Sequence, residues 1–358
     1  MEKVFMKGCE AIAEAAVRAG CRFYAGYPIT PQNEIPEYLA RRLPEVGGTF
    51  VQGESEVASV NMVYGAAATG TRAMTSSASC GISLKSEGVS FMASARLPAV
   101  YCNISRGGPG IGAIQPAQQD YSQATKASGN GGFRMMVFAP ATVQEAVDLT
   151  YHAFDYAQRD RNPVLVLGDG VIGTMMEPVE LPPERSAKEV QELKDQNLSW
   201  CLHNRETGEP RVVVDPGRWE PLEMEKLNIE ADALYRSWDK NDVQVEEYLL
   251  DDAEVVLTAF GISGRIAKSA VDCLRREGHK VGLIRPITIS PFPYQAYDRL
   301  NYSRVKAILD VEMAIPALMV YDVKLAVKDR ARIETCLRSG GVVISREEIM
   351  DAAVKLLR

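Results

Sequence analysis

The chain has 358 residues, 46% hydrophobic and 24% charged, an ordinary globular composition at a length that points to two domains rather than one core. A net charge of −7 argues against a nucleic-acid surface, which needs clustered Lys and Arg, and no apolar run approaches the roughly 20 residues that span a bilayer. Seven scattered cysteines without a CxxC and three isolated histidines give no zinc, iron–sulfur or His-based triad pattern; with no signal-peptide core in MEKVFMKGCE, a reducing, cytoplasmic location is expected.

The first predicted element is a helix over 8–19, GCEAIAEAAVRA, stopped by Gly20. Strands are then predicted at 22–27, 49–52, 72–76, 99–104, 134–139 and 163–168, with helices at 32–43, 54–68, 82–95 and 143–158. Strands alternating with helices of this length mean crossover units and a largely parallel sheet. At about residue 176 the pattern breaks. The stretch to about 252 is polar, charged and Pro-rich, and is predicted to be irregular, with WCLHNRETGEPRVVVDPGRWEP forming a small hairpin or lid. It reads either as a linker wrapping the first unit or as a mobile lid over a site. From 253 the alternation returns in a smaller α/β unit, with strands at 253–261, 279–284 and 305–309 and helices at 263–277, 294–300, 315–327 and 346–357.

The candidate chemistry lies at predicted strand ends, where open α/β sheets bind ligands. Tyr27, Pro28, Ile29, Thr30 and Pro31 follow the first strand of the alternation; the two prolines stiffen this loop around one hydroxyl. Thr30 reads either as a ligand contact or as a helix N-cap with Pro31 in the first helical position. Glu54 and Glu56 open the helix after the next strand. They could be ordinary first-turn acids. The helix behind them, VASVNMVYGAAATG, is nearly uncharged, however, so a carboxylate at its mouth lies at the edge of the interior and must be paired or used. Ser76, Ser77, Ser79 and Cys80 form a polar turn at a third strand end, with Cys80 read as a small packed residue. Arg106 opens a glycine-rich loop at a fourth, where an arginine suits a carboxylate; that loop lacks the GK[ST] of a phosphate loop. Two weaker patterns remain. Gly168-Asp169-Gly170 followed 27 residues later by Asn197 imitates a diphosphate–magnesium motif, but prolines interrupt the helix and strand it requires. GISGRIAKS near Gly261 could be a nucleotide turn, and fits a plain strand-to-helix turn better.

GYPITPQNEIPEYLA, GESEVASVNMVYGAAATG, MTSSASCGISL, ISRGGPGIG and NPVLVLGDGVIG resemble, in this order and over almost the full length, the alpha subunit of 2-oxoacid:ferredoxin oxidoreductases, nearest the 2-oxoisovalerate (3-methyl-2-oxobutanoate) type. The resemblance implies a doubly wound, pyrimidine-type thiamine diphosphate-binding domain at 1–180, a linker or lid at 181–251 and a transketolase C-terminal-like α/β domain at 252–358. It implies a hetero-oligomer. A partner beta subunit would hold the diphosphate and Mg2+, ferredoxin-like and gamma-type subunits would join it, [4Fe-4S] clusters would lie on partners, and ferredoxin would accept electrons. The implied reaction is coenzyme A-dependent oxidative decarboxylation of a branched-chain 2-oxoacid to acyl-CoA, carbon dioxide and reduced ferredoxin. Pyruvate, 2-oxoglutarate and aryl 2-oxoacids are alternative substrates, and a non-catalytic scaffold is the alternative role. By the same resemblance, Glu56 meets the aminopyrimidine ring, Thr30 and Arg106 meet the substrate carbonyl or carboxylate, and Tyr27, Pro28 and Ile29 shape the pocket. Cys80 stands where the family pattern leads one to expect proline or a smaller residue.

Overall fold

A computed structural model describes residues 3–126 and 128–358. Its first sheet contains six parallel strands in the spatial order Met136–Phe138, Val164–Asp169, Val100–Gly107, Ala73–Ser77, Phe23–Gly26 and Thr49–Gln52. From Phe23–Gly26 the chain first moves outward to Thr49–Gln52, then crosses back to Ala73–Ser77 on the other side. The crevice between those carboxyl ends is a topological switch point, where such sheets take ligands. The central strands are buried on both faces. Val100, Cys102 and Ile104 face one apolar layer and Tyr101 faces the other.

The expected crossover helices are present as Gly8–Arg18, Glu34–Glu45, Glu56–Ala68, Cys80–Ser94 and Val143–Asp160. Local chemistry sets several of their starts. The Ser55 hydroxyl accepts from the Ala58 N–H at 3.1 Å, and Thr142 from Glu145 at 3.0 Å.

A second sheet orders Val245–Tyr248, Val281–Pro286, Val255–Thr258, Ala307–Glu312 and Arg332–Leu337, its last four strands parallel. Val245–Tyr248 comes from the stretch expected to be irregular. Thr288–Ser290, further on, returns to pair antiparallel with Met136–Phe138 of the first sheet.

The stretch between the two units is more ordered than its composition suggests, and no hairpin forms in it among the described residues. Ala187–Asp195 is a helix with a Ser186/Glu189 capping box, and Pro221–Asn241 is a helix that buries Ala231, Tyr235 and Trp238. The Trp238 indole donates to Asp160 at 2.9 Å. The stretch runs past the last residues of the crossover helices. Arg185 N–H donates to the Arg18 carbonyl at 3.0 Å, Leu202 N–H to the Ala68 carbonyl at 2.7 Å, and the Ser94 hydroxyl to the Pro216 carbonyl at 2.6 Å. Helix C-termini lie at the amino ends of the strands. The stretch therefore wraps the end of the sheet opposite the switch point and does not cover it.

Candidate active site

Three strand ends meet at the switch point. Ser55 caps the helix Glu56–Ala68, which frees the next side chain to turn inward. Glu56 is 6% exposed, while Glu54 points to solvent. No hydrogen bond to the Glu56 carboxylate occurs among the described residues. Gly81, in the first turn of Cys80–Ser94, lies directly against it. A Cβ there would sit 2.6 Å from Glu56 Oε1 and 2.0 Å from the Ser77 hydroxyl, which is itself buried without a partner. The result is a narrow polar notch with a carboxylate that has no hydrogen-bond partner among the described residues and a buried hydroxyl without one, and buried polar groups are normally paired.

Cys80, the neighbour of Gly81, links this notch to Arg106. The Arg106 guanidinium is 6% exposed; it donates to the Cys80 sulfur at 3.1 Å, to the Thr30 carbonyl at 2.9 Å and to the Ile111 carbonyl at 3.0 Å. Its Nε–H is buried without a partner. Arg106 therefore ties together the YPITP loop, the start of the Cys80 helix and the glycine-rich loop. Cys80 is a free thiol that does more than pack, because its sulfur accepts a charged hydrogen bond.

Thr30 is exposed, and its hydroxyl accepts from the Asn33 amide at 3.4 Å. It is not a helix N-cap: the helix begins at Glu34, with Asn33 in the cap position. Tyr27 and Pro28 are exposed on the same rim and Ile29 is partly buried. Gln32 fixes the loop from below. Its amide donates to the Tyr27 carbonyl at 3.4 Å, and its side-chain carbonyl accepts from Ser76, which also bonds Tyr24 at 2.6 Å.

Sequence reasoning placed Ser79 in the polar turn but did not identify Asn103 and Asp120, through which it holds the rim. Ser79 has φ 34°, a conformation side chains avoid. Its N–H donates to Asn103 Oδ1 at 3.0 Å, its hydroxyl donates to Asp120 Oδ2 at 2.7 Å, and Arg106 N–H donates to the hydroxyl at 2.9 Å. Burial pushes the Asp120 carboxyl up from its ordinary range against the pull of these hydrogen bonds. Lys85 was also missed. It is fully buried, and its ammonium donates to the Glu56 carbonyl at 3.3 Å. Burial lowers its pKa from 10.5 to about 8, with Glu56 opposing the shift.

The two weaker motifs dissolve. Asp169 Oδ1 accepts from Val171 and Ile172 N–H at 2.9 and 3.1 Å, and its Oδ2 from Ile262 N–H at 3.1 Å. Asn197 instead bonds the Gly70 carbonyl at 3.1 Å, at the other end of the sheet. The same carboxylate occupies the turn at Gly261 by accepting from the Ile262 N–H, an amide a phosphate there would need. Among the described residues, no group of three His, Cys, Asp or Glu side chains is placed to hold a metal ion. No described helix is long and apolar enough to cross a membrane. A cleft of about 660 Å³ bounded by Arg22, Thr49, Gly70, Arg72, Val190 and Lys194 lies at the opposite end of the sheet from Glu56 and Arg106.

The sequence model of the family described as pyruvate flavodoxin/ferredoxin oxidoreductase, thiamine diphosphate-binding, matches residues 14–213, more than half of the chain. The chain belongs to that family. Residues 253–349 match the pyruvate:ferredoxin oxidoreductase core domain II, which coincides with most of the second sheet. The chain is 45% identical to the ketoisovalerate oxidoreductase subunit VorB of Methanothermobacter thermautotrophicus, over 98% of this chain and 97% of that one. It is 33% identical to the 2-oxoglutarate synthase subunit KorA of Methanocaldococcus jannaschii, over 99% and 100%. Its fold is that of a solved 2-oxoglutarate:ferredoxin oxidoreductase from Magnetococcus marinus, which has 2-oxoglutarate, coenzyme A and succinyl-CoA bound. The TM-score is 0.85 at 23% identity, and the match covers all of this chain and 66% of that one. The family resemblance and the α/β fold expected from the motifs are thus borne out.

Proposed function

We propose that the chain is the alpha-type subunit of a thiamine diphosphate-dependent 2-oxoacid:ferredoxin oxidoreductase that acts on 3-methyl-2-oxobutanoate and coenzyme A. The observation that carries this reading is the notch between Glu56, Ser77 and Gly81, set beside Arg106 at the switch point of a chain 45% identical, end to end, to a ketoisovalerate oxidoreductase subunit. In this reading residues 1–180 form the pyrimidine-binding domain, 181–251 the wrapping linker and 252–358 the transketolase C-terminal-like domain. A beta subunit carries Mg2+ and the diphosphate half of the site. [4Fe-4S] clusters lie on ferredoxin-like partners, a gamma-type subunit completes the assembly, ferredoxin takes the electrons and the complex works in the cytoplasm.

When bound, thiamine diphosphate supplies the carbon nucleophile and electron sink that let a 2-oxoacid lose carbon dioxide. This chain's residues do the rest by position. Glu56 would hydrogen-bond a pyrimidine ring nitrogen and so favour the tautomer in which that nitrogen carries a proton. Ser77 offers a second polar contact, and Gly81 leaves room for the ring edge. Tyr27, Pro28 and Ile29 wall the rim. Arg106 supplies positive charge for the substrate carboxylate, which competes with the Ile111 carbonyl for the guanidinium, and Thr30 adds a hydroxyl. A branched acyl group differs from a smaller one by a few methylenes, worth about 1–3 kcal/mol each.

The test is coenzyme A-dependent viologen reduction by the anaerobically purified chain with its co-purifying subunits, across a panel of 2-oxoacids. Greatest activity is expected with 3-methyl-2-oxobutanoate; greatest activity with pyruvate or 2-oxoglutarate overturns the substrate and keeps the reaction. Glu56→Gln is expected to lower turnover by about 10²–10⁴-fold. Full turnover in that variant would make the chain a scaffold.

A further inference from the structure

The two helices beside the notch pack along a seam with helical spacing. Glu56 and Val60, four residues apart, face Gly81, Lys85 and Gly88 of the neighbouring helix. Gly81 meets the Glu56 carboxylate, and a Cβ at Gly88 would come within 2.6 Å of Val60. Two glycines thus draw the helices together, and between them stands one lysine. Lys85 has no exposed surface, and its ammonium reaches the Glu56 carbonyl at 3.3 Å. An ammonium has three donors, and burying one with a single neutral acceptor is costly. A leucine or methionine would fill the same seam without that cost. Glu56 is the charged side chain that acts on Lys85, and it opposes the effect of burial.

We infer that Lys85 is a positioning residue for the cofactor acid: its buried ammonium, bonded to the Glu56 main-chain carbonyl, holds the first turn so that the Glu56 side chain faces the notch and places positive charge behind that carboxylate. The inference rests on the assignment of Glu56 proposed above. A cation near a buried carboxyl group favours its charged form, the stronger acceptor for an N–H. Lys85 sits on the backbone side of Glu56, behind the notch, so it supports the acid without occupying the space the ring requires.

The test uses the assembled complex, with thiamine diphosphate affinity as the first readout. Lys85→Met is expected to weaken cofactor binding about 10- to 100-fold when Glu56 is present. In the Glu56→Gln background the same substitution should change affinity by less than about threefold, because no charge remains to be held. Lys85→Arg, which keeps the cation, should retain most of the affinity. An equal loss in both backgrounds would mean that Lys85 only packs the seam, and no loss in either would mean that it does nothing for the site; both overturn the inference. If Glu56→Gln itself binds and turns over normally, the Glu56 assignment fails and the inference with it. If Glu56→Gln fails and Lys85→Met is silent, only the inference fails. Should Lys85→Met not assemble, the unsubstituted complex decides the matter. Its cofactor affinity should fall as pH rises through about 8 and Lys85 loses its proton; affinity flat from about pH 7 to 9.5 overturns the proposal.

Discussion

Asp169 and Glu56 are both buried carboxylates at helix N-termini, and they have opposite hydrogen-bond accounts. Asp169 receives three backbone N–H groups, two from its own turn and one from Ile262 at the start of the helix Gly261–Arg276. Gln118 completes the plug: its amide donates to the Phe260 carbonyl at 2.8 Å, and its carbonyl accepts from Ser263 at 2.6 Å and from Met313 N–H at 3.1 Å. Glu56, at another strand-to-helix turn of the same sheet, receives none among the described residues and has an unpartnered hydroxyl beside it. A carboxylate whose lone pairs are filled by backbone is part of the joint between the units. One left open at a switch point is available to a ligand. The glycine turn at Gly261 and the glutamate turn at Glu56 look alike as sequence, and only the satisfied one lost its candidacy.

The sharpest way to break this comparison is to fill the open site with the protein itself. Gly81→Ala puts a methyl group where the Glu56 and Ser77 oxygens already stand, at 2.6 and 2.0 Å. Overpacking of this kind costs about 1–3 kcal/mol, or about 10- to 100-fold in cofactor affinity if the notch is where the ring binds. The measurement is thiamine diphosphate titration of the assembled complex. Unchanged affinity would place the cofactor elsewhere.

The complementary change is to open the satisfied site. Asp169→Asn turns one oxygen into an N–H donor that faces the N–H groups Asp169 now accepts. Leaving a buried donor unsatisfied costs about 1–3 kcal/mol. Chemical denaturation should register that loss, while cofactor affinity stays near its original value because Asp169 serves the joint. A large loss of cofactor affinity at unchanged stability would reverse the roles assigned to the two acids.

Much of this was legible in the sequence, and the limits have physical causes. The buried parallel strands announce themselves because both faces are apolar, and the strand ends place Thr30, Glu56 and Arg106 on one rim. The edge strand Arg332–Leu337 is half exposed, so no apolar run marks it. The helix Pro221–Asn241 buries only three side chains in 21 residues, too few for a clear period. The supporting cast of the site is harder still to read. Lys85 meets Glu56 from 29 residues away, Ser79 meets Asp120 from 41, and Gln118 meets Phe260 from 142. None of these pairs shares an element, so no local spacing could bring them together. Arg106 was read as a free clamp for a substrate carboxylate, yet its terminal nitrogens already bind the protein's own loops. Charge and position were visible in the sequence; the hydrogen-bond account was not.

The smallest expected effect is a pH dependence that separates the two acids without touching the site. Burial raises the Asp169 carboxyl from 3.8 to about 6, against the pull of its three N–H partners. An acid whose pKa is higher folded than unfolded favours the native state most at low pH. Its contribution is complete below about 4 and is lost as pH rises through about 6. The span corresponds to at most about 3 kcal/mol. Other carboxylates in ion pairs add slopes of the opposite sign, so the informative quantity is a difference. Stability of the original chain minus that of Asp169→Asn should fall between about pH 4 and 6 and level off above it. A difference that does not vary with pH would mean that Asp169 is ionised throughout, and the joint would then rest on a full negative charge at two helix N-termini, stabilised by their dipoles.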